Sequence, residues 1–238
     1  MHNEEEDRLN NLKIEVEVDT DEMSAMRIGF IRKVYGVVIT QLILTAAVVC
    51  ISFAKPVNDF LQGNMWLMWV TLAVSILLLF VMICFEKMMQ QVPTNYIMLF
   101  SWTLLEGILV AYCTLRVDPS IVGYAAGGTI IIVGSLTIYA FYTKTDFTWI
   151  GGLLMVCSAL LLIFGLGMML FGTTKLLHMT YCLLGLFVFS MWLIYDTHLV
   201  MGKFGLKYNE DAYIFAALNI YLDIIQIFLY LLALLKGD

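Results

Sequence analysis

The chain has 238 residues, 61% of them hydrophobic and only 13% charged, where soluble domains carry about a quarter charged residues. With a mean hydropathy of +0.89, it reads as an integral membrane protein and not as a soluble enzyme. The formal charge of −6 is concentrated, since nine of the 19 acidic residues lie in the first 22 positions; such a run repels phosphates and anionic headgroups and argues against nucleic acid as a partner.

Residues 1–33 are expected to form a solvated, disordered cytosolic tail. The tail closes in a short interfacial helix, where Arg27, Arg32 and Lys33 alternate with Met26, Ile28 and Phe30. The acidic start lacks the basic flank and short apolar core of a cleavable signal peptide, so the first span should direct insertion. Residues 34–238 then form one transmembrane domain. A spanning helix needs about 20 mostly apolar residues, and seven segments qualify: about Val34 to Ala54, Met65 to Phe85, Tyr96 to Leu115, Pro119 to Tyr142, Ile150 to Phe171, Leu176 to His198 and Ala212 to Leu235. The expected fold is therefore an all-α bundle of seven transmembrane helices. The short connections leave no room for a second domain.

Pro56, Pro93 and Pro119 all sit at segment boundaries, which gives little support to a broken-helix transporter. Gly123 and Gly127 make a small-xxx-small pattern suited to close helix packing in the fourth segment. The five cysteines fall in separate apolar segments and read as small apolar fillers. With a cytosolic N-terminus, that side carries Arg27, Arg32, Lys33, Lys87, Lys144, Lys203 and Lys207, against Lys55, Arg116, Lys175 and Lys236 opposite. Seven against four favours that orientation. The last segment would then end on the far side, unless it is a re-entrant hairpin, which hydropathy leaves open.

Three acids interrupt the spans: Glu106 near the middle of the third, Asp196 toward the end of the sixth and Asp223 near the middle of the seventh. Ionisable residues at such depth face a bundle interior or a watery path and mark ion or proton routes. At helical spacing Asn219, Asp223 and Gln226 share a face with Ala216 and Tyr230. That stripe cannot face lipid, so the last helix should be central, surrounded by the other six, with its polar face against Asp196 or Glu106. If Asp196 and Asp223 are adjacent, one proton shared between them is the expected resting state. Losing it would leave two like charges in a low dielectric, driving the helices apart or requiring a cation between them. Firm calcium binding takes about six to eight oxygens. The three acids, helped by Asn219, Gln226 and Thr103, suit passage or weak, transient calcium at Asp196 and Asp223 better than storage. His198 reads as an interfacial residue able to tune Asp196.

Five co-linear blocks carry a family resemblance: FIRKVYGVVITQLILT (30–45), FSWTLLEG (100–107), YAFYTKTDFT (139–148), IYDTHLVMGK (194–203) and EDAYIFAALNIYLDIIQIF (210–228). Together they resemble the transmembrane Bax-inhibitor-motif family, most of all its Lifeguard and Golgi anti-apoptotic protein branch. The resemblance implies a seven-helix fold with a central last helix. It also implies a pH-sensitive calcium leak, or calcium/proton exchange, from a Golgi or endoplasmic reticulum store, with suppression of apoptosis downstream. Membrane lipid, calcium ions, protons and apoptosis-regulating membrane proteins are the implied partners, with no cofactor. The family's proton-sensing aspartates match Asp196 and Asp223, and Glu106 matches a third-helix glutamate of the branch. A basic residue from the second helix latches the sixth-helix aspartate in that family; this chain has no arginine there, and Lys87 is the nearest candidate. Such a latch would reverse the pH direction expected from repulsion alone.

Enzymatic readings fare poorly. Tyr195-Asp196 followed by an aspartate in the next segment suggests an intramembrane aspartyl protease, but Ile220-Tyr-Leu-Asp223 is not GxGD and no proline follows Pro119. His2, His178 and His198 form no HExxH pair for zinc. No lysine lies mid-membrane in the last segment to hold retinal. The remaining alternative is a non-conducting scaffold that regulates cell death through protein partners, with the acids serving helix packing.

Overall fold

The computed structural model describes residues 2–85, 89–143, 145, 147, 149–202 and 212–237, with side chains from Ala25 onward. The main helices among them are α1 (His2–Ser52), α2 (Lys55–Gly63), α3 (Met65–Cys84), α4 (Thr94–Thr114), α5 (Pro119–Tyr142), α6 (Ile150–Phe171), α7 (Lys175–Met201) and α8 (Tyr213–Lys236). Seven of these can cross a membrane: Ala25–Ser52 within α1, and α3 through α8. At 1.5 Å per residue the 24 residues of α8 extend about 36 Å, beyond the roughly 30 Å of a hydrocarbon core. Because α8 is a single unbroken helix, the hairpin alternative for the last segment is set aside.

Consecutive spans alternate in direction. Contacts between Lys33 and Tyr213, Tyr96 and Tyr213, and Ala140 and His198 gather one end of the bundle, here called the Tyr213 end. Within the bundle α8 packs against α1, α4, α5 and α7, while α3 lies mainly on α4 and α6 on α7. The last helix is central, as expected, but four spans enclose it and not six. Hydropathy explains which are excluded: α3 and α6 have mean hydropathies of 2.7 and 2.6, against 1.6 for α4 and 2.0 for α8. Helices apolar all round can face lipid on most sides, whereas polar side chains must turn toward other helices. The core that results joins Val34, Leu99, Trp102, Leu193, Ile214, Ile220, Tyr221 and Ile227. Between helices in lipid this core holds by close packing and hydrogen bonds, because lipid tails are as apolar as the side chains themselves.

Three local expectations change. The lead-in helix around Arg27 runs into the first span without a break, as part of the single helix α1. Residues 55–63, expected as a connection, form α2, an amphipathic helix opened by Pro56 in its first turn and burying Leu61. Gly123 and Gly127 do not mediate packing, since a β-carbon added at either would meet nothing within 4 Å. The inward face of α5 is instead that of Val122, Ala125 and Thr129, with Gly128 receiving Leu231 of α8. A four-residue spacing identifies a face of a helix without saying where it points.

Candidate functional site

The end of α7 organises the site. Gly202 ends the helix in a left-handed conformation, φ +68°, and its N–H donates to the carbonyls of His198 and Leu199, an arrangement that favours glycine because it has no β-carbon. From α1 the Arg27 guanidinium donates to the Leu199 carbonyl and lies 4.9 Å from the Phe30 ring centroid. A cation there complements the negative end of the helix dipole. A β-carbon on Gly202 would come within 2.9 Å of Arg27 Nε, so the glycine also makes room for the arginine.

With that end fixed, three successive buried side chains, Asp196, Thr197 and His198, reach three different helices, as steps of about 100° require. His198 Nε2 lies 3.1 Å from the Ala140 carbonyl of α5, and its ring is 5.6 Å from that of Phe147. Thr197 Oγ1 lies 3.4 Å from the Tyr35 hydroxyl of α1. Asp196 turns to α8, where its carboxyl is within hydrogen-bonding reach of Asp223. Both aspartates are nearly inaccessible, at 4% and 5% exposure. Ionised carboxylates only accept hydrogen bonds, so a bond between the two requires one of them to carry a proton. Asp223 Oδ2 is buried with no partner among the described residues.

On the opposite side of α8, two residues or about 200° from Asp223, the polar groups are neutral. Tyr221 and Thr45 hydroxyls are 2.7 Å apart, and Gln41 Nε2 donates to Thr103 Oγ1 at 2.9 Å. Thr103 in turn donates to the Leu99 carbonyl, and Trp102 packs edge-on to Tyr221 at 5.9 Å. Two buried atoms of this layer, Gln41 Oε1 and Trp102 Nε1, have no partner among the described residues. Nearer the Tyr213 end, Asn95 Nδ2 donates to the Tyr213 hydroxyl.

The expected residues thus separate. Asp196 and Asp223 come together, with Asn219 and Gln226 half-buried on the same helix as Asp223. Thr103 belongs to the neutral layer. Glu106, half-buried, accepts a hydrogen bond from Ser75 Oγ of α3 at 2.8 Å and does not join the aspartates. His198 is buried against α5, near the Tyr213 end of the bundle. No three His, Cys, Asp or Glu side chains among the described residues converge as a metal site would require. Lys87 lies outside the described residues. Sequence reasoning missed Arg27, counted only as an interfacial charge, and the Gln41, Thr45 and Tyr221 group. The available signal for the latter was Gln41 and Thr45, four apart on one helix face inside an apolar span.

A bundle of seven apolar helices whose C-terminal member is central, with buried carboxyls at its heart, defines a polytopic membrane protein. Residues 27–238 match the family model described as "Inhibitor of apoptosis-promoting Bax1". The chain is 35% identical to human Protein lifeguard 3 over 217 residues, which cover 90% of this chain and 70% of the relative. Mouse Protein lifeguard 3 is 32% identical, covering 88% and 69%, and Protein LIFEGUARD 4 of Arabidopsis thaliana is 30% identical, covering 91% and 87%. The chain belongs to the Bax-inhibitor/Lifeguard family of non-catalytic, multi-pass membrane proteins linked to apoptosis regulation.

Proposed function

We propose that this protein is a pH-sensitive calcium leak of an intracellular membrane, Golgi or endoplasmic reticulum, with its N-terminus in the cytosol, and that Asp196 and Asp223 form its gate. The observation that carries the reading is the burial of two carboxyls side by side between α7 and α8, in a family linked to cell-death control. With one shared proton the pair carries a single charge and holds the two helices together. As pH rises the proton leaves, and two like charges in a low dielectric repel. The α7–α8 seam then loosens or admits a cation, so the leak rises with pH. Calcium meets only two carboxylates there and is bound weakly in passage, as a permeant ion requires. Glu106, on the α4 side, serves as a second acidic station on the route. Drawing down a calcium store in this way lowers the calcium available to promote cell death.

The test is calcium flux from loaded liposomes containing the purified protein, followed between about pH 6 and pH 8. The expected result is a leak above that of empty liposomes, increasing with pH. A leak equal to that of empty liposomes would remove conduction and leave the scaffold reading, in which the acids serve packing alone.

A further inference from the structure

At the end of the bundle opposite Tyr213, α1 and α4 touch and then part. A β-carbon on Gly107 would lie 3.3 Å from Val48 Cβ, so the helices are in close contact there. One turn further on, the facing residues are Ala111 and Ser52, both small, and they leave a cavity of about 290 Å³. Amphipathic α2 roofs it, with Val57, Phe60 and Leu61 turned toward the space and Leu67 of α3 closing one side. The one lining hydroxyl, that of Ser52, is spent on the Val49 carbonyl, so the walls offer a ligand no hydrogen bond. Apolar cavities of this kind stay dry and take apolar molecules.

The surface around the opening says which apolar molecule is at hand. Ile51 and Phe60 line the cavity yet are 60% and 57% exposed, and Trp66 and Trp69 in the first turns of α3, which also supplies the lining Leu67, are comparably exposed. The cavity is therefore continuous with the lipid-facing surface, at the depth where interfacial aromatics mark the edge of the hydrocarbon. The charged residues of the segments that follow α1 and α4, Lys55 and Asp59 on α2 and Arg116 and Asp118 after α4, balance in sign, which selects no charged headgroup. We infer that this cavity is a seat for one acyl chain of a bilayer phospholipid, held between α1 and α4 beneath the α2 roof.

Reconstitution of the full chain with a phosphatidylcholine carrying a photoreactive acyl chain, followed by mapping of the crosslinks, tests this. The expected result is labelling of the cavity residues of α1, α2 and α4 several-fold above that on the lipid-facing sides of α3 and α6. Ala111→Phe, which fills the space, should abolish that excess while leaving labelling of α6 unchanged; Val57→Trp provides a second filling variant from the roof should the first fail to fold. Labelling of the wild type that merely follows exposure, with no excess at the cavity, would overturn the inference, whether or not either variant folds.

Discussion

On the side of α8 that meets α7, the polar groups are two buried carboxyls, proposed to share a single proton; on the side that meets α1 and α4, they are hydroxyls and an amide whose hydrogen bonds need no change of charge. Both sets are buried; the carboxyls lie between α8 and α7, while Tyr221–Thr45 ties α8 to α1 and Gln41–Thr103 ties α1 to α4. They differ in what the medium can do to them. The Tyr221–Thr45 and Gln41–Thr103 contacts are insensitive to protons near neutrality, since hydroxyls and amides do not titrate there, whereas the proposed hydrogen bond between Asp196 and Asp223 requires a proton on one of them. On the proposed gating, one helix therefore has a fixed seam and a switchable one.

The largest effect should come from the switchable seam. Asp196→Asn and Asp223→Asn should each remove most of the pH dependence of calcium flux, and the double substitution should remove no more than either alone, because one proton belongs to both side chains. Additive losses would show two independent sites. Gly202→Ala should come next, since it forces a left-handed conformation worth about 1–2 kcal/mol and crowds Arg27. Denaturant unfolding in detergent would reveal the loss, and an unchanged midpoint would refute the role of this turn in fixing the end of α7. Tyr221→Phe should cost least, about 0.6 kcal/mol for one hydrogen bond between membrane helices, and should leave the pH profile of flux in place. A flattened profile in that variant would erase the distinction between the two seams.

Much of this was legible in the chain. Uniformly apolar stretches set the spans to within a few residues, because crossing hydrocarbon demands length and little else. The costly acids marked the sixth and seventh segments as inward-facing, while the residues alone left Asp196 and Glu106 both open as the neighbour of Asp223. Arg27 escaped because its role depends on where α7 ends in space, which spacing along α1 cannot reveal. Glu106 looked equivalent to the aspartates by depth alone, yet its direction around α4 takes it to Ser75. The face of Gly123 and Gly127 was misread for the same reason. Depth can be read from a linear pattern; azimuth depends on which helices become neighbours.

The account rests on a proton held between Asp196 and Asp223, and infrared spectroscopy of the reconstituted protein counts that proton directly. With selective isotope labelling of aspartate, the wild type should show a protonated carboxyl band that fades as pH rises from about 6 to 8, in step with increasing calcium flux. The band should be absent from the double asparagine variant at every pH. A band that stays constant while flux changes, or a pH-dependent flux that persists without both aspartates, would contradict it.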